Sequence, residues 1–173
     1  MSVFITVGTT DFDNLIEICD TNSFFEQLIS MKVKKLKLQI GRGKYEPKVI
    51  NKLCGDMGVE FSSFRFKASL DEEMDEADLI ISHCGAGSIL EAVSRRKPLI
   101  VVINESLQDN HQREIANAIV SEGYGLAATP CTLINTLLEQ SMETIGRIKK
   151  TSSFPIQNSN IFPTIIESLF DFT

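Results

Sequence analysis

Residues 77–112 hold an apolar run, Leu79-Ile80-Ile81, that passes through Gly85-Ala86-Gly87 into a helix expected to open at Ser88. A strand, a glycine turn and a helix in that order form the unit of a parallel sheet, because parallel neighbours need a crossover and a helix usually supplies it. The turn also aims free backbone N–H groups and the positive end of a helix dipole at one spot, which suits a phosphate or diphosphate. A second apolar run from Pro98 to Ile103 ends in a polar stretch, Asn104 to Gln112. Two strand ends then bring polar groups to one sheet edge, where open α/β sheets bind their ligands. The pattern predicts a nucleotide site.

The rest of the chain repeats the alternation. An apolar strand at Val3–Val7 ends in Gly8-Thr9-Thr10, and a helix follows from about Phe12 to Met31, with room for a break near Asp20–Ser23. Leu36–Ile40 reads as the second strand, ended by Gly41-Arg42-Gly43. Pro47 suits the first turn of a helix that stops at Gly55 or Gly58. Val59–Phe66 reads as a third strand. Ser69-x-x-Glu72 has the form of a capping box before a short acidic helix. Beyond the central motif come a helix from Asp109 to about Ser121, a short strand at Gly125–Ala128, and a long helix opened by Thr129-Pro130 and reaching about Lys149. Residues 1–150 are thus one α/β domain with a doubly wound, mostly parallel sheet. Residues 151–173 read as an extended strap and a short apolar C-terminal helix.

Composition narrows the function. A chain of 173 residues with 43% hydrophobic and 23% charged residues can bury a core of its own. Its net charge of −6 argues against a nucleic-acid partner, since phosphate-backbone binders need basic surfaces. The lysines at 32, 34, 35 and 37 read as a solvated strand edge, and the run Asp71-Glu72-Glu73 with Asp75 and Glu76 as a solvated helix face. Cysteines 19, 54, 84 and 131 lack C-x-x-C spacing and read as buried free thiols of a reducing compartment. The N-terminus has no basic leader and no apolar stretch long enough to span a membrane, so a cytoplasmic protein is expected.

Several motifs carry more than one reading. Gly85-x-Gly87 with Glu105 invites a dinucleotide fingerprint, but Leu90 stands where its third glycine belongs. A stand-alone dinucleotide-binding or sensor module therefore stays open as the rival. Ser88-Ile-Leu-Glu91 is either a capping box or the place where a carboxylate meets ribose hydroxyls one turn from the phosphates. Asp11-Phe-Asp13 resembles a metal-holding D-x-D pair, yet acids at a helix start need only the dipole to explain them, and no metal is expected. His83 and His111 are the only histidines, and both fall in the candidate site. Asn104, Asn110 and Gln112 either read a sugar and a base or cap the following helix. Three glycine turns on one sheet edge, including Gly8 and Gly41, point to a ligand that approaches the backbone closely.

At Phe4–Thr10, Leu38–Gly43, Asp78–Ser88, Lys97–Asn104 and Asp109–Gln112 the chain resembles the donor-binding half of a GT-B glycosyltransferase of family 28. Within that family it is most similar to the small cytosolic subunits of eukaryotic UDP-N-acetylglucosamine transferases of asparagine-linked glycosylation. The resemblance implies a Rossmann-like fold and transfer, with inversion, of N-acetylglucosamine from UDP-N-acetylglucosamine to N-acetylglucosaminyl-diphospho-dolichol. It implies that Gly85, Ala86, Gly87 and Ser88 hold the diphosphate, Glu91 the ribose, and Asn110, His111 and Gln112 the sugar, while Gly8, Thr9 and Thr10 close the opposite wall. It implies no cofactor. The general base, and activity itself, are expected from a membrane-anchored partner that carries the acceptor domain and recruits this chain to the cytosolic face of the endoplasmic reticulum. The terminal helix, through Ile165, Leu169 and Phe172, would dock that partner. Two positions depart from the family pattern: Cys84 replaces a small alanine, and Arg96 replaces a glycine before Lys97-Pro98, where it would alter a helix C-cap.

Overall fold

A computed structural model of the chain describes residues 1–106 and 111–139. Among these residues six strands, β1 (Ser2–Thr6), β2 (Lys35–Gln39), β3 (Glu60–Phe64), β4 (Leu79–His83), β5 (Leu99–Val102) and β6 (Leu126–Ala128), form one sheet in the order β3-β2-β1-β4-β5-β6. Every pairing is parallel. The chain starts in the middle of the sheet, builds one flank, and returns to build the other. The turn of direction lies between β1 and β4, so loops after these two strands diverge to opposite faces and leave a crevice.

Among the described residues seven helices cover the faces: α1 (Asp13–Cys19), α2 (Asn22–Ser30), α3 (Val49–Met57), α4 (Asp71–Glu76), α5 (Ala86–Ser94), α6 (His111–Ser121) and α7 (Leu133–Glu139). Alternation along the strands sorts the core into two layers. Val3, Ile5, Leu36, Leu38, Leu79, Ile81, Ile100 and Val102 pack under α1, α2, α3 and α7. Phe4, Ile80, Leu99 and Val101 face α4, α5 and α6 through Met74, Ile89, Val93, Ile115 and Ile119. Strands buried on both faces explain why β1, β4 and β5 read as continuous apolar runs.

The break near Asp20 separates α1 from α2. Thr21 caps α2 by accepting the Phe24 N–H at 3.2 Å. Asp20 is buried and reaches across to the start of α3, accepting from the Lys48 N–H at 3.1 Å, the Ile50 N–H at 2.6 Å and the Tyr45 hydroxyl at 2.8 Å. It thus satisfies the open amides of α3, a role no local pattern announces. Gly58, at φ 68°, ends that helix.

Several expectations need correction. β2 is an interior strand, and its lysines are paired. Lys35 contacts Glu76 at 2.9 Å and Glu60 at 3.4 Å, and Lys37 contacts Glu76 at 3.1 Å and Glu73 at 3.5 Å. The acidic run is correspondingly no solvated face throughout, because Glu73 is only 1% exposed and also pairs with Lys67. The capping box at Ser69 does not form: α4 starts at Asp71, and Ser69 Oγ accepts the Asp71 N–H at 3.0 Å. Cys19, Cys54 and Cys84 are buried, but Cys131 is exposed. Thr129-Pro130 begins a turn closed on Thr132, whose Oγ1 accepts the Thr129 N–H at 2.8 Å, and α7 starts three residues later than expected. The expected extension of that helix to Lys149, the strap, and the C-terminal helix with Ile165, Leu169 and Phe172 lie outside the described residues. Among the described residues no helix is long and apolar enough to cross a membrane.

Candidate functional site

The crevice between β1 and β4 holds a cavity of about 590 Å³. Gly8 and Thr9 line it from the end of β1, Gln39 from β2, and His83 from β4. Gly85, Ala86, Gly87, Ser88 and Glu91 line it from α5, and Phe66–Asp71 form the wall beyond β3. Eight of the expected site residues meet there: Gly8, Thr9, His83, Gly85, Ala86, Gly87, Ser88 and Glu91.

The floor is built of backbone. α5 opens at Ala86, two residues earlier than expected, with Gly85 as its N-cap. Gly85 has no side chain with which to cap, so the first-turn amides of Ala86, Gly87 and Ser88 lack a side-chain acceptor at the cavity. Ser88 is therefore not a cap, and the capping reading of Ser88–Glu91 is overturned. Glu91 is exposed one turn into α5, on the cavity wall. A Cβ added at Gly87 would meet nothing within 4 Å beyond the adjacent residues and the backbone of its own helix. The first turn of a nine-residue helix thus faces open space with its dipole directed at it.

His83 forms the back of the cavity, 8% exposed. Its Nδ1 is buried without a hydrogen-bond partner. Burial holds its pKa below the ordinary imidazole value; the Thr6 backbone acts in the opposite sense but leaves Nδ1 unpaired. Its neighbour Cys84 points away, donating to the Gln112 carbonyl at 3.1 Å, and burial pushes that thiol up to about 12. A thiol so held is no nucleophile.

Behind the cavity a chain of hydrogen bonds ties three strands together. The Gly8 N–H donates to Thr6 Oγ1 at 2.9 Å, the Thr6 hydroxyl donates to Gln39 Oε1, and Gln39 Nε2 donates to the Arg65 carbonyl at 3.3 Å. Gln39 and the Phe66–Asp71 wall escaped the sequence reading. Gln39 looked like an ordinary position in an alternating strand, and the wall follows a strand whose phase shifts at Phe64. Lys67 lies 4.9 Å over the Phe64 ring while paired with Glu73.

Other expected residues sit elsewhere. Gly41 packs under the first turn: a Cβ there would stand 2.5 Å from the Thr10 carbonyl oxygen, and the Arg42 N–H donates to that same carbonyl at 3.0 Å. Gly43 is confined by Asp13, whose carboxylate accepts the Lys44 and Tyr45 N–H groups at 2.9 and 3.1 Å. The second glycine turn is thus explained by close packing against the first and not by a ligand, and Asp13 of the D-x-D pair is committed to fixing it. Thr10 closes its own turn on the Val7 carbonyl. Asn104 lines a separate recess of about 330 Å³ with Asp11, Asp13 and Ser106. Its Oδ1 accepts from the Ser106 hydroxyl and N–H, and its own N–H donates to Gln112 Oε1 at 2.8 Å. His111 is exposed at the start of α6, 3.7 Å from Glu114. Glu105, the ribose acid of the dinucleotide reading, is paired with Arg113 at 3.6 Å. Asn110 lies outside the described residues.

Comparison with known proteins places this geometry in context. The profile of the glycosyltransferase family 28 C-terminal domain matches residues 2–168. The human UDP-N-acetylglucosamine transferase subunit ALG13 is 44% identical over 122 residues, covering 70% of this chain and 10% of that protein. The chain therefore matches only about a tenth of the length of that curated relative. An NMR solution structure of ALG13 superposes with a TM-score of 0.69 at 26% identity, covering 98% of this chain and 96% of that one. The crystal structure of Acinetobacter baumannii MurG gives the same TM-score at 17% identity, covering 99% of this chain and 50% of MurG, a likeness of fold alone.

Proposed function

Because the chain belongs to the family of glycosyltransferase family 28 C-terminal domains, we propose that it is the donor-binding subunit of an inverting N-acetylglucosaminyltransferase. The donor is UDP-N-acetylglucosamine, and the acceptor is N-acetylglucosaminyl-diphospho-dolichol. The observation that carries this reading is the uncapped first turn of α5, open to a cavity with Glu91 one turn further along.

The diphosphate lies on the amides of Ala86, Gly87 and Ser88, against Gly8, Thr9 and His83. The ribose hydroxyls donate to the Glu91 carboxylate, and the run from Asn110 to Gln112 takes the sugar. In the transfer step an acceptor hydroxyl attacks the anomeric carbon from the face opposite UDP. Its proton passes to a base, the bond to the diphosphate oxygen breaks, and UDP leaves with the electron pair. Charge grows on that oxygen as the bond breaks, so donors already aimed at it stabilise the transition state more than the bound donor. The base and the acceptor site come from a membrane-anchored partner at the cytosolic face of the endoplasmic reticulum, docked through Ile165, Leu169 and Phe172. The name of the relatives, a transferase subunit, supports a two-chain enzyme.

Two measurements test the proposal. A ligand at ~100 times its dissociation constant stabilises a fold by roughly 2.7 kcal/mol, so UDP and UDP-N-acetylglucosamine should raise the melting temperature while NAD should not. Labelled donor and a lipid-diphosphate acceptor should give product only when the membrane partner is co-expressed. Stabilisation by NAD and not by UDP overturns the donor assignment, and full turnover by the isolated chain overturns the partner dependence.

A further inference from the structure

Of the titratable residues that line the cavity, Lys67, Asp71, His83 and Glu91, only His83 is buried and lies on a strand. Its ring is wedged between two glycines. A Cβ at Gly8 would stand 2.5 Å from Cε1, and one at Gly85 2.1 Å from Nε2, so neither residue brings a side chain that could hydrogen-bond the ring. Nδ1 is left buried and unpartnered in a position where nearly every such atom in folded proteins finds a partner. A neutral imidazole offers one donor and one acceptor, whereas the protonated ring offers two donors. A diphosphate has only acceptors to present.

We infer that His83 takes up a proton from solvent when the diphosphate of the sugar nucleotide binds, so that the donor completes its own cationic site. The inference rests on the donor reading above and assigns His83 a state that the free protein does not hold. The other charges around the cavity are already spoken for or of the wrong sign. Lys67 is paired with Glu73, and Asp71 with Arg95; Glu91 is an acid. β1 and β2 present only Thr6, Gly8, Thr9 and Gln39, all uncharged, and the α6 side of β4 presents the Cys84 thiol bonded to the Gln112 carbonyl. In the free protein burial lowers the pKa of His83, so the ring is neutral at pH 7. An anion against it favours the charged form and raises that pKa. Between the two values binding and protonation are linked, and donor affinity grows as pH falls, approaching about ten-fold per pH unit. When UDP leaves the protein, the proton returns to solvent.

The diphosphate of UDP-N-acetylglucosamine keeps constant charge near neutral pH, so any proton uptake belongs to the protein. Isothermal titration with this donor at pH 7, in PIPES and in Tris, should give heats that differ by the buffers' ionisation enthalpies and report uptake of a fraction of one proton. The chain has two histidines, and the ring resonance that His83→Gln removes identifies His83 in NMR spectra of the wild type. That resonance should titrate at higher pH in the donor-saturated protein than in the free one. Donor binding with buffer-independent heat and an unmoved ring titration overturns the inference and leaves the donor assignment standing. Absence of any heat and any spectral change with the donor overturns both. The NMR arm reads the wild-type chain, so it stands even if His83→Gln folds poorly.

Discussion

The imidazole of His83 occupies the space that a side chain at Gly85 would need: a Cβ built on Gly85 falls 2.1 Å from Nε2. Gly85 has an ordinary φ of −108°, so its identity answers to this contact and not to backbone strain. Gly85→Ala should therefore fold, lose about 1–3 kcal/mol to overpacking, and displace the ring into the cavity. Chemical denaturation reads the first effect. Calorimetry with UDP-N-acetylglucosamine should show affinity falling by more than the change in stability alone would cause.

Gly87 makes the opposite case. Beyond the adjacent residues and the backbone of its own helix, no atom lies within 4 Å of a Cβ added there, and the position is exposed at the second residue of α5. Gly87→Ala should leave the melting temperature unchanged or raise it, since alanine is favoured over glycine in a helix by roughly 0.5–1 kcal/mol. Affinity for UDP should nevertheless drop, because the methyl group would project into the space proposed for the diphosphate. Retention of full UDP affinity would remove the diphosphate from this turn.

Glu91 takes no part in capping α5, so Glu91→Gln should keep wild-type stability within about 0.5 kcal/mol, the usual range for surface substitutions. A carboxylate that accepts ribose hydroxyls is worth about 1.5 kcal/mol or more, which corresponds to a loss of roughly ten-fold in donor affinity. Parallel binding of uridine nucleotides and their 2′-deoxy counterparts checks the assignment: the variant should discriminate between them less than the wild type does.

Glu73 ties the cavity wall to the sheet. Burial by itself would raise its pKa, but the hydrogen bond from Lys67 and the charge of Lys37 outweigh burial and hold it below the ordinary carboxylate value. A group lowered in this way contributes stability above its unfolded pKa of about 4.3 and loses that contribution as pH falls through the folded value. Glu73→Gln should cost only about 1 kcal/mol at neutral pH, because Lys67 is 42% exposed and Lys37 keeps Glu76 at 3.1 Å when their shared partner loses its charge. Its melting temperature should also fall less steeply than that of the wild type below pH 4.

Arg96 ends α5 in a left-handed conformation, φ 54°. Its N–H donates to the Val93 carbonyl and the Lys97 N–H to the Ala92 carbonyl, the paired bonds of a Schellman turn. Glycine adopts that conformation freely and arginine does not. Arg96→Gly should stabilise the protein by about 1 kcal/mol, read from urea unfolding, without changing UDP affinity.

Much of the architecture was legible because it is written locally. Continuous apolar runs in β1, β4 and β5 announce strands buried on both faces, and the alternation with helices announces a parallel sheet. The crevice edge followed from Gly85 and His83. What the sequence hid depends on partners distant in the chain. Asp20 caps a helix it does not belong to, and Lys35 and Lys37 look solvated until α4 supplies Glu76 and Glu73. Gly41 and Gly43 look like ligand glycines until Thr10 and Asp13 are seen pressed against them. Gln39 carries no motif, and its place at the cavity emerges only when Thr6 and Arg65 fix its amide.

The return of the chain from β3 to β4 sets the order in which the cleft can arise. Its two walls end adjacent strands, yet β2, β3 and four helices lie between β1 and β4 in the chain. Local pairs such as a strand with its next helix form quickly, while a parallel pairing between segments so far apart in the chain is non-local and comes late. A nascent chain that has emitted β1, β2 and β3 but not β4 therefore owns half a cleft and lacks the histidine at its back. Acquisition of the proposed nucleotide binding during refolding should then time the docking of β4 on β1, and should lag the recovery of helical signal.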